Sequence, residues 1–260
     1  MRRSKKWVLG VLIICLAALA GIVLMRHRSE VAQRVLQMDI PVAVLVSHPV
    51  NEAPIVKPIG EPTRVFVEPG PDRFNLAVPF TSQAPFQDWS LPYQETCEEA
   101  AVLMAAAYLL PDEVSLKTPT DADRLLRDLV ELQTMILGFY QDTTAEETVR
   151  FALAKFPSLR VTLKENPTAE EIRAEVLAGH PVLLPTAGKK LGNPNFQNGG
   201  PLYHMLLVRG FAPGRFVTND PGTRKGEGYV YRVDTLMEAM GDWNGGHPET
   251  GKKVMLVFSL

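Results

Sequence analysis

The sequence predicts an α+β domain with an antiparallel sheet, on three observations. Helix-forming runs fill the stretch from Cys97 to Gly179, and short β-type runs fill the stretch from Pro181 to Phe258. Helices followed by strands argue against alternating βαβ units. The composition is that of an ordinary globular protein: of 260 residues, 46% are hydrophobic and 22% charged, with a formal net charge of -2. Such a balance excludes a disordered or collagen-like chain and gives no sign of the basic face that nucleic-acid binding needs.

The first element is a membrane signal. Arg2, Arg3, Lys5 and Lys6 precede an uncharged apolar run from Trp7 to Met25, which Arg26, His27 and Arg28 close. Nineteen residues in a helix span roughly 28 Å, close to the hydrocarbon thickness of a bilayer. The run reads either as an uncleaved signal anchor, because Ile22 to Met25 continue it, or as a cleaved signal peptide with Ala18-Leu19-Ala20 as the processing site. Either way the positive flank stays cytoplasmic and the remainder is exported. The expected organisation is a signal anchor over 1–28, a Pro-rich extracytoplasmic spacer over 29–71 and a single domain over 72–260. Pro41, Pro49, Pro54, Pro58, Pro62 and Pro69 keep the spacer extended, with room for a short strand or two docking on the domain. About 190 residues suffice to bury roughly 70% of the unfolded surface without staples.

Within the domain, the Ala-, Leu- and Met-rich run after Cys97 predicts a helix through Leu109. Leu125, Leu129, Leu132 and Ile136 recur at helical spacing between Asp121 and Ile136. Thr143 or Thr144 caps a further helix running to Phe156, with Glu146 and Glu147 in its first turn. Thr168 with Glu171 is a capping-box pair, and Gly179 ends that helix. Strands are predicted over Pro181–Pro185, Met205–Phe211, Phe216–Thr218, Tyr229–Val233 and Val254–Phe258. The Gly-, Asn- and Pro-dense stretch from Ala187 to Tyr203 is a long loop of the kind that is functional or mobile.

The candidate chemistry centres on Cys97. Cys15 lies in the membrane run, so Cys97 is the single thiol of the exported part. At a helix N-terminus the macrodipole lowers a thiol's pKa; the alternative is a buried small hydrophobe. His204 opens a β-run directly after the long loop. Asp220 ends the next run, in Asn219-Asp220-Pro221-Gly222, where it also reads as a turn former. A turn at Pro213-Gly214 between antiparallel neighbours brings His204 beside Asp220. Gln83 is a candidate oxyanion donor or a surface glutamine. His180 reads as structural and His247 as a loop residue, with Trp243 and His247 able to line a cleft. No zinc-finger spacing, HExxH or phosphate loop is present, so neither metal nor cofactor is expected.

The joint pattern resembles the Peptidase_C39_2-like group of papain-like cysteine peptidases, relatives of the bacteriocin leader-processing peptidases. The residues that carry it are Val78-Pro79-Phe80-Thr81-Ser82-Gln83, Trp89, Tyr93, Cys97 with its small-residue helix to Tyr108, Gly179-His180-Pro181-Val182, His204 to Phe211 and Asn219-Asp220-Pro221. The resemblance runs from Phe74 to Phe258. It implies a papain-like fold, with Cys97 on an N-terminal helical part and His204 and Asp220 on the sheet. Cys97 would be the nucleophile, His204 the general base and acid, Asp220 the residue orienting the imidazole and Gln83 the oxyanion donor.

Where many members of the group have Gly-Pro after the nucleophile, this chain has Glu98 and Glu99, which suit the helix dipole but raise a neighbouring thiol's pKa. Trp89, Glu98 and Glu99 are the candidate substrate-binding residues, one of the acids orienting the site or selecting a basic substrate group. The implied function is an exported, membrane-tethered cysteine peptidase acting on peptide or isopeptide bonds, with cell-envelope material among its substrates. The alternatives are a transpeptidase or amidase using the same thioester, or a non-catalytic envelope binding module. Leader removal is not implied, because the chain carries no ATP-binding motif and its domain is expected outside the cytoplasm.

Overall fold

The computed structural model describes residues 71–260 throughout, 40–46 before them, and positions 15, 17–25, 27, 33, 36 and 37 near the N-terminus. The chain divides into two units, 1–39 and 40–260. In the first, positions 17–25 are helical. The first part of the apolar run expected to cross a membrane lies outside the described residues. Among the described residues no helix is long and apolar enough to do so.

The first strand of the second unit is β1 (Phe74–Asn75); four helices follow, the last of them after an intervening strand. Helix α1 (Cys97–Leu109) is buried at every residue; from Ala100 onward it is an apolar run with no polar face, which burial suits. It lies against the sheet as the domain's central helix. Helix α2 (Pro119–Leu137) starts at Thr118, whose side chain accepts from the Asp121 N–H, and ends at Gly138, whose φ of 87° only glycine adopts freely. Helix α3 (Ala145–Lys155) is capped by Thr144 in a reciprocal box with Glu147, which decides between the two threonines. Helix α4 (Ala169–Leu177) carries the Thr168–Glu171 box, and Gly179 turns the chain at φ 92°.

The strands are β2 (Arg160–Glu165), β3 (Val182–Ala187), β4 (Tyr203–Ala212), β5 (Arg215–Asn219), β6 (Tyr229–Arg232) and β7 (Val254–Ser259). They form one antiparallel sheet in the order β2-β7-β3-β4-β5-β6. Strands β3 and β4 are buried along their whole length, which places the core between the sheet centre and α1. Strand β1 pairs with Gly210 and Phe211 of β4 beyond the point where β3 begins at Val182. Gly210 permits that approach, since a Cβ there would sit 2.6 Å from the Phe74 carbonyl oxygen.

Two features depart from the sequence expectations, and a third meets one. Strand β2 is not among the predicted strands, because Arg160, Lys164 and Glu165 hide its Val161–Leu163 alternation; it pairs with β7 at the sheet edge. Val233 does not extend β6; it opens a short helix, α5 (Val233–Ala239). The segment expected as a spacer with room for a docking strand does contribute a docked piece, at 40–46. There Val44 bridges Leu76 in parallel, its N–H donating to the Asn75 carbonyl at 2.8 Å, and the Asn75 amide donates to the Pro41 carbonyl at 2.9 Å.

Candidate active site

Cys97 is the first residue of α1 and is 6% exposed. Thr96, just before it, donates its hydroxyl to the carbonyls of Gln83 and Tyr93. The Cys97 thiol donates to Glu98 Oε2 at 3.0 Å, while Glu98 Oε1 accepts the Thr143 N–H at 2.9 Å. Burial, and then the Glu98 carboxylate, push the Cys97 thiol well above its ordinary value, against an opposing contribution from the Met205 backbone N–H. The expectation that the helix terminus lowers this pKa is therefore corrected: desolvation and an adjacent acid outweigh the dipole. The opposite expectation, that the paired acids raise it, describes what is found.

Glu98 is itself pushed up to about 7, chiefly by burial. Glu99 is fully buried, both its oxygens lack a hydrogen-bond partner, and burial followed by Glu98 pushes it well above the carboxylate range. Glu98 faces the cleft beside Cys97, but Glu99 does not line it. Contact between Glu99 and a substrate is thus not available in this geometry.

Opposite stands His204, at the start of β4. Its Nε2 is 2.8 Å from Asp220 Oδ1, and both side chains are almost wholly buried. Strands β4 and β5 pair antiparallel with Leu207 opposite Asn219, so the start of one lies beside the end of the other. Asp220 Oδ1 also accepts the Gly222 N–H at 3.0 Å. Its Oδ2 accepts from Asn193 at 3.0 Å and from the Tyr231 hydroxyl at 2.6 Å. Burial alone would raise Asp220, but His204, Tyr231 and the Gly222 N–H hold it below its ordinary value. With Nε2 engaged, the imidazole nitrogen left for chemistry is Nδ1.

Gln83 joins the two sides. Its N–H donates to the Pro221 carbonyl at 3.0 Å, next to Asp220, and its carbonyl accepts from Thr96, next to Cys97. One amide hydrogen of its side chain goes to the Tyr93 carbonyl at 2.9 Å, leaving the other available. Cys97, His204, Gln83 and Glu98 line one cleft of about 380 Å³. Trp89 lines an adjoining cavity of about 520 Å³ that also meets Gln83. Among the described residues no group of three His, Cys, Asp or Glu could hold a metal ion.

Sequence reasoning missed four contributors. Asn193 and Phe196 come from the long loop, which folds into two 3₁₀ turns over Gly188–Leu191 and Gln197–Gly199. Phe196 meets the His204 ring edge-on at 5.3 Å between centroids. Tyr231 comes from β6, one strand beyond Asp220. Gly222 lies so close that a Cβ would fall 2.8 Å from His204 Cε1 and from Phe196. The length of the loop was the one signal pointing at Asn193 and Phe196; Tyr231 looked like any strand aromatic. His180 pairs with Glu175 at 2.8 Å, and His247 lies near Glu249 at 3.4 Å without lining the cleft.

The antiparallel α+β domain thus sets a helix-terminal cysteine and the histidine of a buried His–Asp pair on one cleft. Residues 75–247 match the Peptidase_C39 like family, and the chain belongs to that family. It is similar to a crystal structure from Bacillus anthracis described as that of a candidate C39-like peptidase, at 15% identity and a TM-score of 0.44, covering 70% of this chain and 94% of that one. No curated protein matches it.

Proposed function

We propose that this chain is a cysteine peptidase that hydrolyses peptide or isopeptide bonds through Cys97, His204 and Asp220. The observation that carries the reading is the buried 2.8 Å His204–Asp220 pair, whose histidine lines the same cleft as Cys97. His204 Nδ1 takes the thiol proton as Sγ attacks the carbonyl carbon and the carbonyl π electrons move to oxygen. The free amide hydrogen of Gln83 donates to that oxyanion. Collapse breaks the C–N bond, and the imidazolium gives its proton to the leaving amine. Water then attacks the thioester, with His204 again the base, and frees Cys97. Asp220 fixes the tautomer throughout. In this reading the uncharged run from Trp7 to Met25, after its basic flank, anchors the chain and leaves the domain outside the cytoplasm, where envelope peptides are its substrates.

The Cys97–Glu98 hydrogen bond favours a second reading, a binding module whose thiol stays protonated. Alkylation of the purified full-length chain by iodoacetamide from pH 4 to 9, read on the Cys97 peptide by mass spectrometry, separates the two. The peptidase reading expects labelling well below pH 8 that weakens in His204→Ala. Labelling that rises only above the free-thiol pKa of about 8.5, alike in both proteins, favours the binding module.

A further inference from the structure

We infer that Glu98 controls the proton on Cys97: as a carboxylate it holds the sulfur as a thiol, and as a neutral acid it donates its own hydrogen to the thiolate. The inference rests on the peptidase reading for its use in turnover, but its chemistry is visible in the thiol alone. Glu98 Oε2 accepts the Cys97 S–H at 3.0 Å. The carboxyl group is clamped there, because its other oxygen takes the Thr143 N–H at 2.9 Å and Thr143 is in turn held by Tyr203 and Thr148. Sulfur and carboxylate are both buried. Two anions at that separation in a dry site do not coexist, so the pair keeps one proton between them.

The surroundings reinforce this. The titratable groups that act on Glu98 are Cys97 and Glu99 on α1, Asp142 in the α2–α3 loop and Tyr203 on β4; Glu95 in the preceding turn acts on Glu99, and Asp242 after α5 acts on Tyr203. Across the cleft stands His204; no lysine or arginine is among the cleft residues. A proton from solvent on Glu98 releases the sulfur: the thiol hydrogen moves to His204 Nδ1, the thiolate accepts the Glu98 O–H, and the pair stays singly protonated. During acylation the hydrogen on His204 goes to the leaving amine, and Glu98 keeps its own.

Glu98 titrates at about 7. It is neutral below that value and assists the thiolate; above it, the carboxylate opposes thiolate formation. Glu98→Gln mimics the neutral state with both contacts available, its amide oxygen for Thr143 N–H and its NH₂ for sulfur. Iodoacetamide labelling of Cys97 in the full chain should match wild type near pH 5.5. At pH 8 it should be about tenfold faster in the variant, the change in thiolate fraction produced by a one-unit fall in thiol pKa. A rate ratio that stays constant across this range, at one or at any other value, overturns the inference. Should the variant not fold, the wild-type profile decides. A slope that flattens above pH 7 supports control by Glu98, and a single unbroken ionisation overturns it. Loss of the His204→Ala effect would instead remove the peptidase reading and leave this test standing.

Discussion

Asp220 and Glu98 are both buried carboxylates beside the same cleft, and the fold treats them in opposite ways. Asp220 accepts from four donors: the His204 ring, the Gly222 N–H, the Asn193 amide and the Tyr231 hydroxyl. Glu98 accepts from the Thr143 N–H and hydroxyl and from the weakly donating Cys97 thiol, and its neighbour Glu99 from nothing. Asp220 is held below its ordinary range, whereas Glu98 rises to about 7 and Glu99 higher. Burial is common to all three, so the donors decide the charge. The sheet side surrounds its carboxylate with donors. The helix side is built to keep a proton near sulfur.

The largest expected effect breaks the sheet side. Asp220→Asn replaces the acceptor of the imidazole N–H by an amide that favours the wrong tautomer. Peptide hydrolysis should fall by about 10³–10⁴, measured as kcat/KM, with the melting curve confirming that the fold is kept.

Next is a stability difference that sharpens the contrast on the helix side. Glu98 is raised from its ordinary 4.5 to about 7. A group raised in this way stabilises the fold fully below its unfolded value, and that contribution is lost as pH climbs through the folded value. Wild type should therefore lose stability between about pH 4.5 and 7. The advantage of Glu98→Gln in urea denaturation should grow by about 2–3 kcal/mol from pH 5 to pH 8. An advantage of equal size at both pH values would show that Glu98 carries no buried charge at pH 8.

A smaller loss tests steric rather than electrostatic positioning. Gly222→Ala puts a methyl group 2.8 Å from both His204 and Phe196, so the imidazole must shift. Displacement of a catalytic group by a fraction of an ångström to an ångström costs about 10- to 100-fold in kcat, with KM little changed. The smallest effect is Tyr231→Phe, which removes one of four donors to Asp220. It should lower turnover by about tenfold, the worth of a single hydrogen bond to a charged group, and shift the acid limb of the pH profile upward as Asp220 becomes easier to protonate.

Much of the fold was legible because its signals are local. The Thr144–Glu147 and Thr168–Glu171 boxes set helix starts within four residues of chain, and the run of helix formers after Cys97 announced a helix, which the structure buries at every residue. Strand β2 was not legible, since its polar residues look outward from an edge. The docking of 40–46 depends on a partner, Leu76, that is distant in sequence. The His204–Asp220 juxtaposition could be read from two antiparallel strands and the turn between them. Asn193 and Tyr231 could not, because each meets Asp220 through a different connection.

By itself the sequence determined the uncharged apolar run near the N-terminus, the α+β order of elements and the resemblance to a peptidase family. These follow from periodicity, capping and motif spacing, all properties of short stretches. What only the tertiary structure decided is the electrostatic state of the site residues. From the sequence, the helix terminus lowers the Cys97 pKa and the following Glu98 and Glu99 raise it, and chain order alone does not decide between them. Folding then buries it at the sheet, sets Glu98 against its sulfur and leaves Glu99 without a donor. Desolvation and contact act over a few ångströms in three dimensions, and at that range they outweigh the helix dipole that the sequence makes visible.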